Sequence, residues 1–134
     1  MAKGMWLGIG VFVILFVGID SADAGGGSHH ELIPQEGSAG QVLVGEVVDV
    51  FCYLSHGEEG LGKDHARCAR RCIEQGLPVA IKIGDKLYLA SMTHHEPAND
   101  TLAVYAGRQV EVHGEVMGRD GQYMVAISSI EAID

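Results

Sequence analysis

Two turn tripeptides set the frame of this chain. Gly84-Asp85-Lys86 separates the β-rich runs Val79 to Ile83 and Leu87 to Met92, and Arg119-Asp120-Gly121 separates Gln109 to Met117 from Gln122 to Ile133. A short Gly/Asp turn between alternating apolar runs is a hairpin signal, so the sequence predicts two β-hairpins. Ahead of them Val42 to Leu54 alternates well enough for one long strand, with Val44, Val48, Val50, Cys52 and Leu54 on one face and Gly45-Glu46 marking a bend or bulge. Between the hairpins, Pro97 to Ala106 offers Asn99 as a cap, Leu102, Ala103, Tyr105 and Ala106 as an apolar stripe, and Gly107 as a stop. That pattern predicts a short helix.

The stretch from His65 to Cys72 gathers a histidine and two of the three cysteines. At helical spacing His65, Cys68, Ala69, Cys72 and Ile73 share one face, leaving Arg67, Arg70 and Arg71 on the flanks or the wet side. Asp64 is a candidate N-cap and Gly76, followed by Leu77-Pro78, a C-terminal stop, which places a helix over Lys63 to Gln75. The element order becomes strand, helix, strand, strand, helix, strand, strand. This is a mainly β class, an OB-like five-stranded Greek-key barrel with an extra helix after the first strand; an open α+β sandwich is the alternative.

The residues Cys52-Tyr53-Leu54, Gly60, His65, Cys68-Ala69, Cys72 and Gly76-Leu77-Pro78, followed by the strand pairs, resemble small exported bacterial proteins with an OB-like domain and a Cys-Tyr, His-x-x-Cys-Ala-x-x-Cys, Gly-x-Pro pattern. The likeness runs from about Gly45 to Ile133. It implies a fold and a shared Cys/His cluster, and no particular activity.

Met1 to Ala24 carries one Lys, an apolar run from Met5 to Ile19 and a small-x-small Ala22-Asp23-Ala24, which reads as a secretory signal peptide. The apolar run, interrupted by glycines, falls short of the roughly 20 residues of a spanning helix, the anchor alternative. Gly25 to Gly40 has the Gly, Ser and Pro content of a flexible linker, and the folded domain is expected over residues 41–134. Export places the protein in the periplasm or outside the cell, where thiols pair or bind metal. After cleavage no membrane association is expected.

A net charge of −9 opposes phosphate backbones and anionic membranes and favours cationic ligands. Nucleic-acid binding also lacks a basic groove and an aromatic platform, since Phe51, Tyr53, Tyr88, Tyr105 and Tyr123 are few and expected partly in the core. Covalent haem would need Cys-x-x-Cys-His, and a thioredoxin-like thiol enzyme Cys-x-x-Cys; neither is present. His94 and His95, beside Pro97, read as exposed loop residues more readily than as ligands.

Two readings of the cysteines remain. Cys52, His65, Cys68 and Cys72 form a Cys3His set suited to zinc or copper(I), in a non-catalytic exported module with a structural or carrier role. Alternatively a disulfide from Cys52 to a helix cysteine stabilises an interaction domain that docks on an envelope protein or periplasmic complex. A Cys68–Cys72 bond is disfavoured, because Cβ atoms at i and i+4 stand about 5–6 Å apart and a disulfide wants roughly 3.5–4.5 Å.

Overall fold

A computed structural model describes residues 40–133 of the chain. The expected signal peptide, the expected linker up to residue 39, and Asp134 lie outside the described residues. Six strands are present: β1 (Gln41–Asp49), β2 (Val79–Ile83), β3 (Lys86–Met92), β4 (Glu96–Pro97), β5 (Gln109–Arg119) and β6 (Gln122–Ala132). Five of them close a ring, since β1 pairs with β2 and β5, β5 with β6, β6 with β3, and β3 with β2. Every ring pairing is antiparallel except β3–β6. Counting ring strands alone, the order is first, second, third, fifth, fourth, which is the OB-like Greek-key barrel expected from the sequence. The two-residue β4 adds to the side of β3.

Among the described residues three α-helices decorate the barrel: α1 (Val50–His56), α2 (Gly62–Glu74) and the one-turn α3 (Asn99–Leu102), which continues as a 3-10 turn through Tyr105. Among the described residues no helix is long and apolar enough to cross a membrane.

The turns behave as their residues dictate. β5 and β6 are joined by Asp120 and Gly121 alone, both at positive φ (54° and 81°), the backbone that lets a two-residue turn follow the twist of its strands. Inside, Val47, Ile81, Tyr88, Val112, Val116, Val125 and Ile127 fill the barrel; Ala69 and Ile73 of α2 and Leu102 of α3 join the same cluster. Each large buried aliphatic contributes about 1.5–3 kcal/mol of transfer free energy. The inner face of α2 is therefore as much core as the strands are.

The first strand departs from expectation twice. Leu43, Gly45, Val47 and Asp49 point inward while Val42 and Val44 are about half exposed, so the alternation has the opposite phase to the one read from the sequence. Val48 is buried too, where the helical insertion lies over the outside. The strand also stops at Asp49 instead of running to Leu54. Its ladder with β2 ends at Asp49 opposite Val79, and the preceding Pro78 has no N–H to extend it; Val50 donates the last bond, to the Pro78 carbonyl (3.0 Å). Phe51 and Leu54 end up exposed on a helix.

No bulge forms at Gly45-Glu46. Glu46 pairs with Gln109 and Lys82, so β1 passes from one neighbour to the other there, and the irregular register falls between His113 and Gly114. A Cβ on Gly45 would sit 2.4 Å from the Lys82 carbonyl oxygen, which accounts for the glycine. Two expected caps also move. The N-cap of α2 is Leu61, not Asp64, and that of α3 is Ala98, not Asn99.

Candidate metal centre

The site is built on the excursion between β1 and β2, where α1, a 3-10 turn (Gly57–Gly60) and α2 follow one another. Asp49 starts it. Wholly buried, its carboxylate accepts from the backbone N–H of Phe51 (3.3 Å) and Cys52 (2.9 Å), turning the chain into α1 one residue after the strand ends. Cys52 is the one buried residue of α1. The chain then folds back under it, and Gly60 is where the return is tightest: a Cβ there would lie 2.9 Å from the Cys52 carbonyl oxygen.

At the start of α2, the free N–H of Gly62 donates to Glu46 Oε1 on β1 (2.6 Å). This cap comes from a strand sixteen positions away. Gly62 itself has φ 72°. At the other end Gly76 (φ 89°) closes the helix as expected, with its N–H bonded to Ile73 O and that of Leu77 to Cys72 O. The Asn99 side chain, freed from capping its own helix, donates to the carbonyls of Ile73 (2.9 Å) and Leu77 (2.8 Å) and ties down the end of α2.

These supports bring the sulfurs of Cys52, Cys68 and Cys72 within 4.8 Å of one another. Cys52 and Cys72 are 3.9 Å apart at Sγ; all three are free thiols, with Cys52 buried, Cys72 partly exposed and Cys68 exposed. Cys52 therefore reaches the cluster from a helix and not from the strand face expected for it. His65 is not among the donors that share this distance. Its imidazole stands beside that of His56 (ring centroids 6.3 Å), with Nε2 buried and without a hydrogen-bond partner. His94 and His95 lie apart on an exposed turn, both at positive φ.

The donor set fits a soft ion. A Zn–S bond of about 2.3 Å gives sulfurs about 3.8 Å apart in a tetrahedron and about 4.0 Å apart in a trigonal plane, and the Cys52–Cys72 separation of 3.9 Å lies between them. The local field opposes bare thiolates. Burial first, then the hydrogen bond and charge of Asp49, push the Cys52 thiol far above its ordinary range. Burial also raises Cys72, helped by Asp49 and Cys68 and opposed by its contact with Cys52. Burial thus favours the protonated forms of Cys52 and Cys72, and a bound ion would supply the positive charge that lets the sulfurs ionise together.

Comparison with family models, with curated proteins and with solved structures found no match to this chain. Three cysteines that could hold a metal ion are what the geometry itself establishes.

Asp49 and Glu46 are the supports whose roles sequence reading missed, while Gly60 was marked only as part of the resemblance. Asp49 left a signal, being a helix-capping residue three positions before Cys52, and it was hidden by the β-branched valines around it.

Proposed function

We propose that this protein is an exported, non-catalytic module that binds zinc or copper(I) through Cys52, Cys68 and Cys72, as a structural or carrier site. The observation that carries the reading is the convergence of all three sulfurs within 4.8 Å from two different helices. A disulfide uses only a pair. Three thiolates satisfy a trigonal copper(I) ion outright, whereas zinc asks for a fourth donor. His65, three residues before Cys68 on α2, is our candidate for that donor, since its buried Nε2 has no hydrogen-bond partner to give up. One thiol of the set is exposed, which gives an ion an entry and exit path.

The test is metal binding by each variant under reducing conditions. Replacing Cys52, Cys68 or Cys72 by Ser is expected to abolish stoichiometric binding of both ions. His65→Ala should lower zinc affinity about tenfold or more and leave copper(I) unchanged. Full binding by any of the three cysteine variants would overturn the proposal.

A second reading rests on the same 3.9 Å approach of Cys52 and Cys72. In an oxidising compartment that pair can close into a disulfide and hold an interaction domain together for an envelope partner. Free-thiol counting on protein isolated without reductant separates the two: three free thiols in the metal reading, one in the disulfide reading.

A further inference from the structure

The other flank of α2 borders a groove of about 500 Å³, walled on the far side by the turn after α3 and the start of β5. Lys63, Arg67, Arg70 and Arg108 line it, four of the nine lysines and arginines in a chain of net charge −9. Its floor is apolar. Ala66, Ala103 and Val104 supply it, and Val104 stands 54% exposed although nothing polar is gained by leaving it so. The groove is shaped by Gly107 (φ 71°), where a Cβ would lie 2.6 Å from the Gly62 carbonyl oxygen and 2.8 Å from Ala66 Cβ; the glycine lets the turn close on the helix.

We infer that this groove is a docking site for an acidic peptide segment of a partner protein, one that carries an apolar side chain between its carboxylates. Charge complementarity selects the occupant. An extended polyanion such as a nucleic acid would run off the basic patch onto an acidic surface, while a segment of a few residues meets only the charges within about one Debye length, roughly 8 Å. The apolar floor asks for a hydrocarbon side chain, which a free phosphate or sulfate does not have. The groove is open along its length, which suits a chain passing through better than a small ligand that needs enclosure. Arg70 already shows the chemistry: its Nε holds the Glu74 carboxylate at 2.7 Å on the exposed surface, a pair that a partner's carboxylate can replace. This inference is independent of the metal reading, since the sulfurs lie on the opposite side of the Ala69–Ile73 stripe.

The probe is a fluorescein-labelled octapeptide of alternating Glu and Leu, titrated against the purified protein by anisotropy. Binding is expected, weakened about tenfold between low and physiological salt, and lost in the R67E/R70E double variant, which keeps its metal content and melting temperature. Val104→Ser should weaken binding severalfold without changing the salt dependence, and Arg67→Gln should act in the same direction as the double variant. Three results would overturn the inference: no binding; equal binding of a Lys/Leu or a Glu/Ser octapeptide; or displacement of the probe by an aryl carboxylate as tight as the peptide, which would make the occupant a small anion.

Discussion

Gly60 offers the sharpest test of how the fold sets the cysteine geometry. It is buried under α1, and a methyl group there would meet the Cys52 carbonyl oxygen at 2.9 Å, the Cys52 carbonyl carbon at 3.0 Å and Tyr53 Cα at 3.0 Å. All three are backbone atoms, so no side chain can swing away. Reaching ordinary contact requires α1 to move by about 0.5 Å at the residue that carries a ligand sulfur, the scale at which a constructed site loses its geometry. Gly60→Ala should therefore cost about 1–3 kcal/mol of stability by overpacking and weaken metal binding about tenfold or more.

Gly57→Ala is the control. Gly57 has φ 61° and ψ −134°, backbone that is almost reserved for glycine, so an alanine is strained there by about 1–3 kcal/mol, yet its added Cβ would have nothing within 4 Å and would push on no candidate ligand. Competition with a chromophoric chelator measures affinity and thermal melting measures stability. The steric argument is refuted if Gly60→Ala binds within a factor of about two of the parent, or if both glycine variants lose affinity in proportion to their melting temperatures.

Burial raises the thiols of Cys52 and Cys72, so the reduced, metal-free fold retains protons that the unfolded chain releases. Its stability should be intact below the ordinary thiol value of 9.0 and fall as pH rises beyond it, a trend checked by melting curves at about pH 8 and about pH 10.5. The metal-loaded protein should show the reverse dependence, losing stability as pH falls and protons compete for the sulfurs. Asn99→Ala removes both side-chain bonds to the end of α2 and should cost about 2 kcal/mol, read as a lower melting temperature. Chelating the ion should speed amide hydrogen exchange across residues 50–60 while residues 62–74 keep their protection; equal loosening of both would contradict the view that α2 is held by the core.

The barrel was legible because its strands alternate and its turns are written in Gly and Asp; the Arg119-Asp120-Gly121 hairpin and the Gly76 stop of α2 follow directly from residue type. The first strand misled for a reason of tertiary origin. Val48, Val50, Cys52 and Leu54 satisfy a period of two as well as any strand, and only the end of the β2 ladder at Pro78 decides that the chain must leave the sheet at Asp49. The inverted face of β1 has a similar source. Val42 and Val44 look like core residues, but the inward set runs through position 45, which is a glycine because a side chain there would strike β2, and a glycine hides the phase of the alternation. For the site, helical spacing correctly joined Cys68 and Cys72, and it also put His65 on their face, though His65 is not among the donors that lie within 4.8 Å of one another. Glu46 reaching Gly62 could not be read locally, since the contact exists only once β1 and the start of α2 are side by side.

The two helices that carry the sulfurs are held by different forces, and this shapes what an ion can do. α2 presents three strips at once: Ala69 and Ile73 in the core, cysteines on one flank, lysine and arginine on the other. Its position follows from burial and from the Glu46 and Asn99 bonds, so it stands whether or not the sulfurs are occupied. α1 has seven residues, buries only Cys52, and exposes Phe51 and Leu54; a helix this short draws little stability from its own hydrogen bonds. Cys52 is its one buried residue, and its other attachments are the Asp49 cap, the Val50 bond to the Pro78 carbonyl, the tight contact at Gly60 and the half-buried Tyr53, whose ring has Lys82 Nζ of β2 5.4 Å from its centroid. An ion bridging Cys52 to Cys68 and Cys72 would therefore fasten α1 to a fixed support, and its release would loosen α1 without dismantling the barrel. That asymmetry suits a site that can load and unload better than one on which the whole fold depends.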